Sequence, residues 1–200
     1  MNYAVLTGDL MASRQVEPGE WIHLLKDVLS KYGQPTTEWM IYRGDSFQLE
    51  TTPKMALTAA IHIKSAIKTI QHLDVRMAIG IGTKTFSGNQ VTESNGTAFQ
   101  HSGDCYESLQ KRSLAIKTGV SEIDEELNLY LRLACLTMDS WAYKTALTVK
   151  VVIENPDRTQ KELEKLLHTK QSGISASLKR SGFEEIDLMI RRYKKIITNL

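Results

Sequence analysis

The chain has 200 residues, 42% of them hydrophobic and 24% charged, with a formal net charge of +2. That is enough apolar material to bury a core, which excludes global disorder, and no apolar run approaches the roughly 20 residues needed to span a bilayer. Two cysteines, Cys105 and Cys135, are too few for a disulfide framework or a four-ligand zinc site. The opening Met1-Asn2-Tyr3-Ala4-Val5-Leu6 carries no basic segment ahead of its apolar stretch, so the expectation is a reduced, cytoplasmic protein with no membrane partner.

The first eighty residues alternate between strand and helix patterns. Residues 3–6 form a short apolar run closed by Thr7-Gly8-Asp9, which reads as a buried strand and its exit. Trp21, Leu24, Leu25, Val28, Leu29 and Tyr32 follow Pro18-Gly19 at helical spacing. Residues 39–42 are a second strand, and Phe47 and Leu49 alternate with polar residues in a third. Only Arg43-Gly44-Asp45 separates these two, which predicts a tight hairpin. Pro53 sits where a first helical residue is tolerated, and Leu57, Ala60, Ile61, Ile67 and Ile70 give one apolar face of a helix running to about residue 71. Residues 75–81 are a fourth strand, ending in Gly80-Ile81-Gly82. The order β-α-β-β-α-β is that of a ferredoxin-like unit. A polar loop over 83–95 and a helix over roughly 97–116, covering the sheet, complete this part.

Beyond Thr118-Gly119 the pattern is helical only. The expected class is therefore α+β: a ferredoxin-like domain over 1–119 and a helical domain over 120–200. Residues 155–200 carry 10 Lys+Arg against 6 Asp+Glu, a balance of +4, whereas residues 1–154 carry 15 against 17. A basic tail on a near-neutral body suits a polyanionic partner. Within it, Thr159 and Glu162 have capping-box spacing at the start of one short helix, with Leu163, Leu166 and Leu167 inward. A turn-length gap, His168-Thr169-Lys170, leads to a second short helix over 171–180 with Ile174 and Leu178 inward.

Two carboxylates stand out. Asp9 follows the first strand and Asp45 sits in the hairpin, and a ferredoxin-like sheet makes strands one and three neighbours. Oxygen ligands brought together in this way suit Mg²⁺ held jointly with substrate phosphates, and Gly8 and Gly44 beside them leave room for a phosphate near the backbone. The same residue types are ordinary at strand ends and turns. Arg14 and Arg43 lie next to the aspartates in sequence and are candidate phosphate contacts.

The segments Tyr3-Ala4-Val5-Leu6-Thr7-Gly8-Asp9-Leu10-Met11-Ala12-Ser13-Arg14, Arg43-Gly44-Asp45-Ser46-Phe47-Gln48, Arg76-Met77-Ala78-Ile79-Gly80-Ile81-Gly82 and Gly96-Thr97-Ala98-Phe99 resemble the SatD family of bacterial proteins. More distantly they are similar to the class III nucleotidyl cyclase domain. The resemblance implies Asp9 and Asp45 as metal ligands, a nucleotide as ligand and pairing of two copies. It departs from the cyclases at Gln100-His101-Ser102-Gly103-Asp104, where those enzymes carry an Asn and a transition-state Arg whose loss typically costs orders of magnitude in rate.

The tail resembles a helix-turn-helix, as SatD proteins also do at their end. That resemblance implies Gln171, Ser172 and Ser175 at base edges and Lys170, Lys179 and Arg180 at phosphates, with Glu164 and His168 standing where a small residue and Gly are usual. The expectation is a homodimeric DNA-binding regulator whose N-terminal domain senses a nucleotide or dimerises. The competing reading is a metal-dependent cyclase or phosphotransferase using Asp9 and Asp45 with a cation such as Arg14 or Arg112. A plain basic helical hairpin that serves dimerisation is the third.

Overall fold

The computed structural model describes residues 2–200. It is a mixed α+β structure, a five-stranded sheet with helices on both faces. The elements are β1 (Tyr3–Met11), α1 (Pro18–Leu29), β2 (Trp39–Tyr42), β3 (Ser46–Thr51), α2 (Pro53–Ile67), β4 (Asp74–Gly82), α3 (Thr97–Glu107), β5 (Leu114–Lys117), α4 (Ser121–Met138), α5 (Tyr143–Glu154), α6 (Gln160–Leu167), α7 (Gln171–Ser181) and α8 (Phe183–Thr198). The strand order is β2-β3-β1-β4-β5, antiparallel except for the parallel pair β4–β5. No helix among the described residues is long and apolar enough to cross a membrane.

Two expectations are corrected. The first strand does not stop at Leu6. Thr7, Gly8 and Asp9 continue it to Met11, because β3 and β4 flank it and pair with all three residues. Nor does one helix run over 97–116. Helix α3 ends at Glu107, and Leu114–Lys117 form β5 beside β4, with Met77 opposite Leu114 and Ile79 opposite Ile116. The three apolar residues Leu114, Ala115 and Ile116 keep the helical spacing by chance, and pairing with β4 decides the outcome.

The alternation of β1 sends Ala4, Leu6 and Leu10 into the main core with α1 and α2. Val5, on the opposite face, packs with Ala98 and Phe99 of α3. Prolines at the first helical position start α1 and α2, where the missing N–H costs nothing. Helix α2 departs most from its sequence pattern, since it is buried all round from Ala59 to Ile67, His62, Lys64 and Ser65 included. The sheet and α1 cover part of it, and α5 and α8 the rest. The main core consequently runs through position 119 and takes in Leu127, Leu131, Met138, Trp141, Val149, Ile186, Ile190 and Tyr193. The Tyr193 hydroxyl donates to the Pro53 carbonyl at 2.6 Å, so α8 is fastened to the start of α2.

Gly80-Ile81-Gly82 has a packing explanation. A Cβ on Gly80 would lie 2.2 Å from both the Ala98 carbonyl oxygen and the Ser102 nitrogen, and one on Gly82 would lie 2.3 Å from the Thr97 hydroxyl. Helix α3 rests directly on the β4 backbone here. Gly80→Ala should force α3 off the sheet and cost about 2–3 kcal/mol, the usual scale for overpacking. Urea unfolding would read this as a lower midpoint with an unchanged slope, and an unchanged midpoint would refute it.

Candidate functional site

Because β1 continues past Gly8, Asp9 sits within the strand on the face away from α1 and α2. Ser46 of β3 is opposite it on one side and Arg76 of β4 on the other. Arg76 grips the carboxylate with both prongs, Nε to Oδ1 and Nη2 to Oδ2, each at 3.0 Å. Bidentate pairing of this kind fixes geometry as well as charge. The guanidinium also stands 5.7 Å from the Tyr106 ring centroid and donates to its hydroxyl at 3.5 Å. Burial, reinforced by Asp9, pushes the Tyr106 phenol up to about 12, so the hydroxyl keeps its proton at neutral pH. Burial likewise raises Tyr42, partly offset by Arg43.

Asp45 lies one strand over. Its carbonyl accepts from the Leu10 N–H at 3.2 Å, which brings the hairpin against the end of β1, and its carboxylate accepts from the Ser13 hydroxyl. The turn is left-handed at Arg43 (φ 51°) and Gly44 (φ 92°). Arg14, Arg43 and Gly44 are exposed, and neither arginine has an ion-pair partner among the described residues. Nothing lies within 4 Å of where a Gly44 Cβ would stand, whereas one on Gly8 would meet the Arg76 carbonyl and the Phe47 ring at 2.7 Å. Gly8 therefore admits neighbouring protein atoms, and its lack of a side chain opens no phosphate approach.

Past the end of β1 lies a cleft of about 430 Å³. Arg76, Lys111 and Arg112 line it together with Asp9, Asp74 and Asp139. Arg112 is anchored by donating to the Ser108 carbonyl at 2.9 Å. Its edge is buttressed by Lys64, which is fully buried and bonds to Asp74 and Asp139 at 2.7 Å each. Asp9 and Asp45 are thus on adjacent strands, but each carboxylate is already engaged. Both Asp9 oxygens are taken by Arg76, and among the described residues no group of three His, Cys, Asp or Glu side chains could hold a metal ion. A divalent cation does not fit Asp9 in this arrangement, because Arg76 already supplies the positive charge there. Sequence reasoning missed Arg76 and Tyr106 as site residues. Arg76 lies 67 positions from Asp9, and only the register of β1 against β4 joins them.

The second candidate surface is built by α5, α6 and α7 around Val151, Leu163 and Ile174. The Thr159–Glu162 capping box forms: the Thr159 N–H donates to Glu162 at 2.7 Å, and the Glu162 N–H to the Thr159 hydroxyl at 3.4 Å. His168 ends α6 in the left-handed conformation, φ 46°. Glu164 accepts the first N–H of α7, that of Gln171, at 2.5 Å, so the acid standing in place of a small residue caps the next helix. Lys170, Gln171, Ser172 and Ser175 are exposed along the first half of α7, with Ile174 and Ser177 turned inward. Lys179 and Arg180 are exposed about 12 Å further along and border a groove between α4 and α8. No family model matches the chain, and no curated protein matches it.

Proposed function

We propose that the chain is a DNA-binding regulator, a ferredoxin-like, cyclase-type unit joined to a helix-turn-helix of which α7 is the recognition helix. The observation that carries the reading is the exposed polar run Lys170, Gln171, Ser172 and Ser175 at the start of α7, on a segment of net charge +4. The N-terminal half of a recognition helix meets base edges while cations hold phosphates. The strand order, with β1 between β3 and β4, and the resemblance to SatD proteins support the fold names.

The test is selection of duplex DNA from a random pool by the purified full chain, followed by anisotropy titrations across salt concentration. A preferred duplex should emerge. Gln171→Ala should weaken binding to it about 10- to 100-fold, and Lys170→Ala should reduce the salt slope by about 1. Absence of duplex binding at low salt would overturn the reading.

A second reading is favoured by the cations of the cleft. Arg76, Lys111 and Arg112 beside Asp9 suit the phosphates of a nucleotide, which the regulator would sense. In the enzyme version Asp9 and Asp45 would hold Mg²⁺ to offset phosphate charge, which would require Asp9 freed from Arg76. Calorimetry with ATP and GTP, with and without Mg²⁺, and product analysis afterwards separate these. Binding without turnover supports a sensor, turnover lost in Asp9→Ala supports the enzyme, and no binding removes the nucleotide from the proposal.

A further inference from the structure

A groove of about 630 Å³ lies between α4 and α8. Leu133 and Leu188 line it, and Leu129 and Leu136 lie on the same solvent-facing stripe of α4 as Leu133. Leu129, Leu133 and Leu136 of α4 are 54, 57 and 77% exposed, and Leu188 of α8 is 57% exposed. The leucines at 129, 133 and 136 share one stripe of α4, and the monomer's own packing uses the opposite stripe, Leu127, Leu131, Cys135 and Met138.

The charges around this face are arranged end to end. Glu122 and Glu125 are exposed on the first turns of α4. Lys179 and Arg180 border the other end of the groove with Glu185, beside Thr137 and Gly182, and Arg192 also lines it, paired with Glu126. None of Glu122, Glu125, Lys179 and Arg180 forms an ion pair within the chain among the described residues. A surface that meets its own copy about a two-fold axis must be self-complementary. An apolar stripe that is acidic at one end and basic at the other satisfies this when the copies run antiparallel. Helix α4, about 27 Å long, carries both the acidic end and the leucine stripe.

We propose that the α4–α8 face is a homodimer interface. A second copy lays its α4 antiparallel along the groove, so that Leu133 and Leu136 of each copy enter the groove of the other. Glu122 and Glu125 of each copy then face Lys179 and Arg180 of the other. These two cations serve the second copy, and the DNA surface is left with the first half of α7. The inference does not depend on DNA binding and is tested without DNA.

The experiment is sedimentation velocity on the full chain at micromolar concentrations. The expected species has twice the 22.6 kDa monomer mass. Leu133→Glu with Leu136→Glu should raise the dimer dissociation constant by about 100-fold or more, with an unchanged urea midpoint for the dissociated chain because both side chains are mainly solvent-exposed. Glu125→Lys and Lys179→Glu should each weaken the dimer, and the double reversal should restore it. A wild-type monomer at these concentrations would overturn the proposal, and so would a dimer indifferent to the leucine substitutions. Failure of the charge-reversal rescue would overturn the antiparallel pairing.

Discussion

Lys64→Met should lower the stability of the folded chain by about 3 kcal/mol, the lower part of the range for removing one partner of a buried ion pair. Lys64 is 0% exposed, and its ammonium bonds to Asp74 and Asp139 at 2.7 Å each. Burial by itself would lower its proton affinity, but the two carboxylates outweigh that effect and hold it above the ordinary lysine range. Its contribution is thus fully present at neutral pH and fades only when pH rises beyond that range. Methionine keeps the apolar stem and removes the charge, which leaves two carboxylates facing each other. The loss falls at the lower end because Lys68 also bonds to Asp74, at 3.1 Å, and because Asp139 is 47% exposed. Urea unfolding at pH 7 is the measurement, with Lys64→Met/Asp139→Asn alongside. The second change should recover part of the loss by removing one unpaired charge. A single variant as stable as the wild type would show that the network carries no weight.

The second large effect is on acid stability. His62 is 1% exposed, with Nδ1 2.9 Å from the Tyr32 hydroxyl and Nε2 3.2 Å from Glu154. A neutral ring satisfies both, accepting from Tyr32 and donating to Glu154. Burial lowers its pKa from 6.5 to about 4; Glu154 opposes this shift, and the ammoniums of Lys150 and Lys31 add to it. The unfolded chain binds a proton at this residue through a range in which the folded chain does not. Stability should therefore be full above about pH 6.5 and fall as pH drops towards 4, by about 3 kcal/mol over the window. Glu154 is held below its ordinary carboxyl range, so its own contribution is lost at still lower pH. His62→Gln keeps the hydrogen-bonding capacity and cannot titrate. Its urea midpoint should fall much less than that of the wild type between pH 6.5 and 4.5, and parallel decline of the two would exclude His62 as the source.

These two networks also show what the sequence conceals. On α2 the apolar residues suggest one buried face, and a lysine and a histidine two positions apart imply the other is solvated. Both are buried because Asp74, Asp139, Tyr32 and Glu154 arrive from elsewhere in the chain, at separations no local pattern encodes. The hairpin, the helix start at Pro53 and the gap between α6 and α7 were legible, because turn residues and caps act within a few positions. The extension of β1 was not, since Thr7-Gly8-Asp9 has turn chemistry and becomes strand only between two neighbours. The same holds for the candidate site. Asp9 and Asp45 could be singled out by residue type, but Arg76 pairs with Asp9 through sheet register alone.

Burial of α2 from both sides bears on how the chain is made. When the first 119 residues have left the ribosome, the sheet can close, but the surface of α2 that later meets α5 and α8 is still bare. The roughly eighty residues that cover it take about 4–16 s to synthesise. Throughout that interval Pro53, whose carbonyl Tyr193 later claims, sits at the edge of an uncovered apolar surface. A nascent chain stalled near residue 119 should therefore be sticky and dependent on chaperones, and it should become compact only as the last helix emerges.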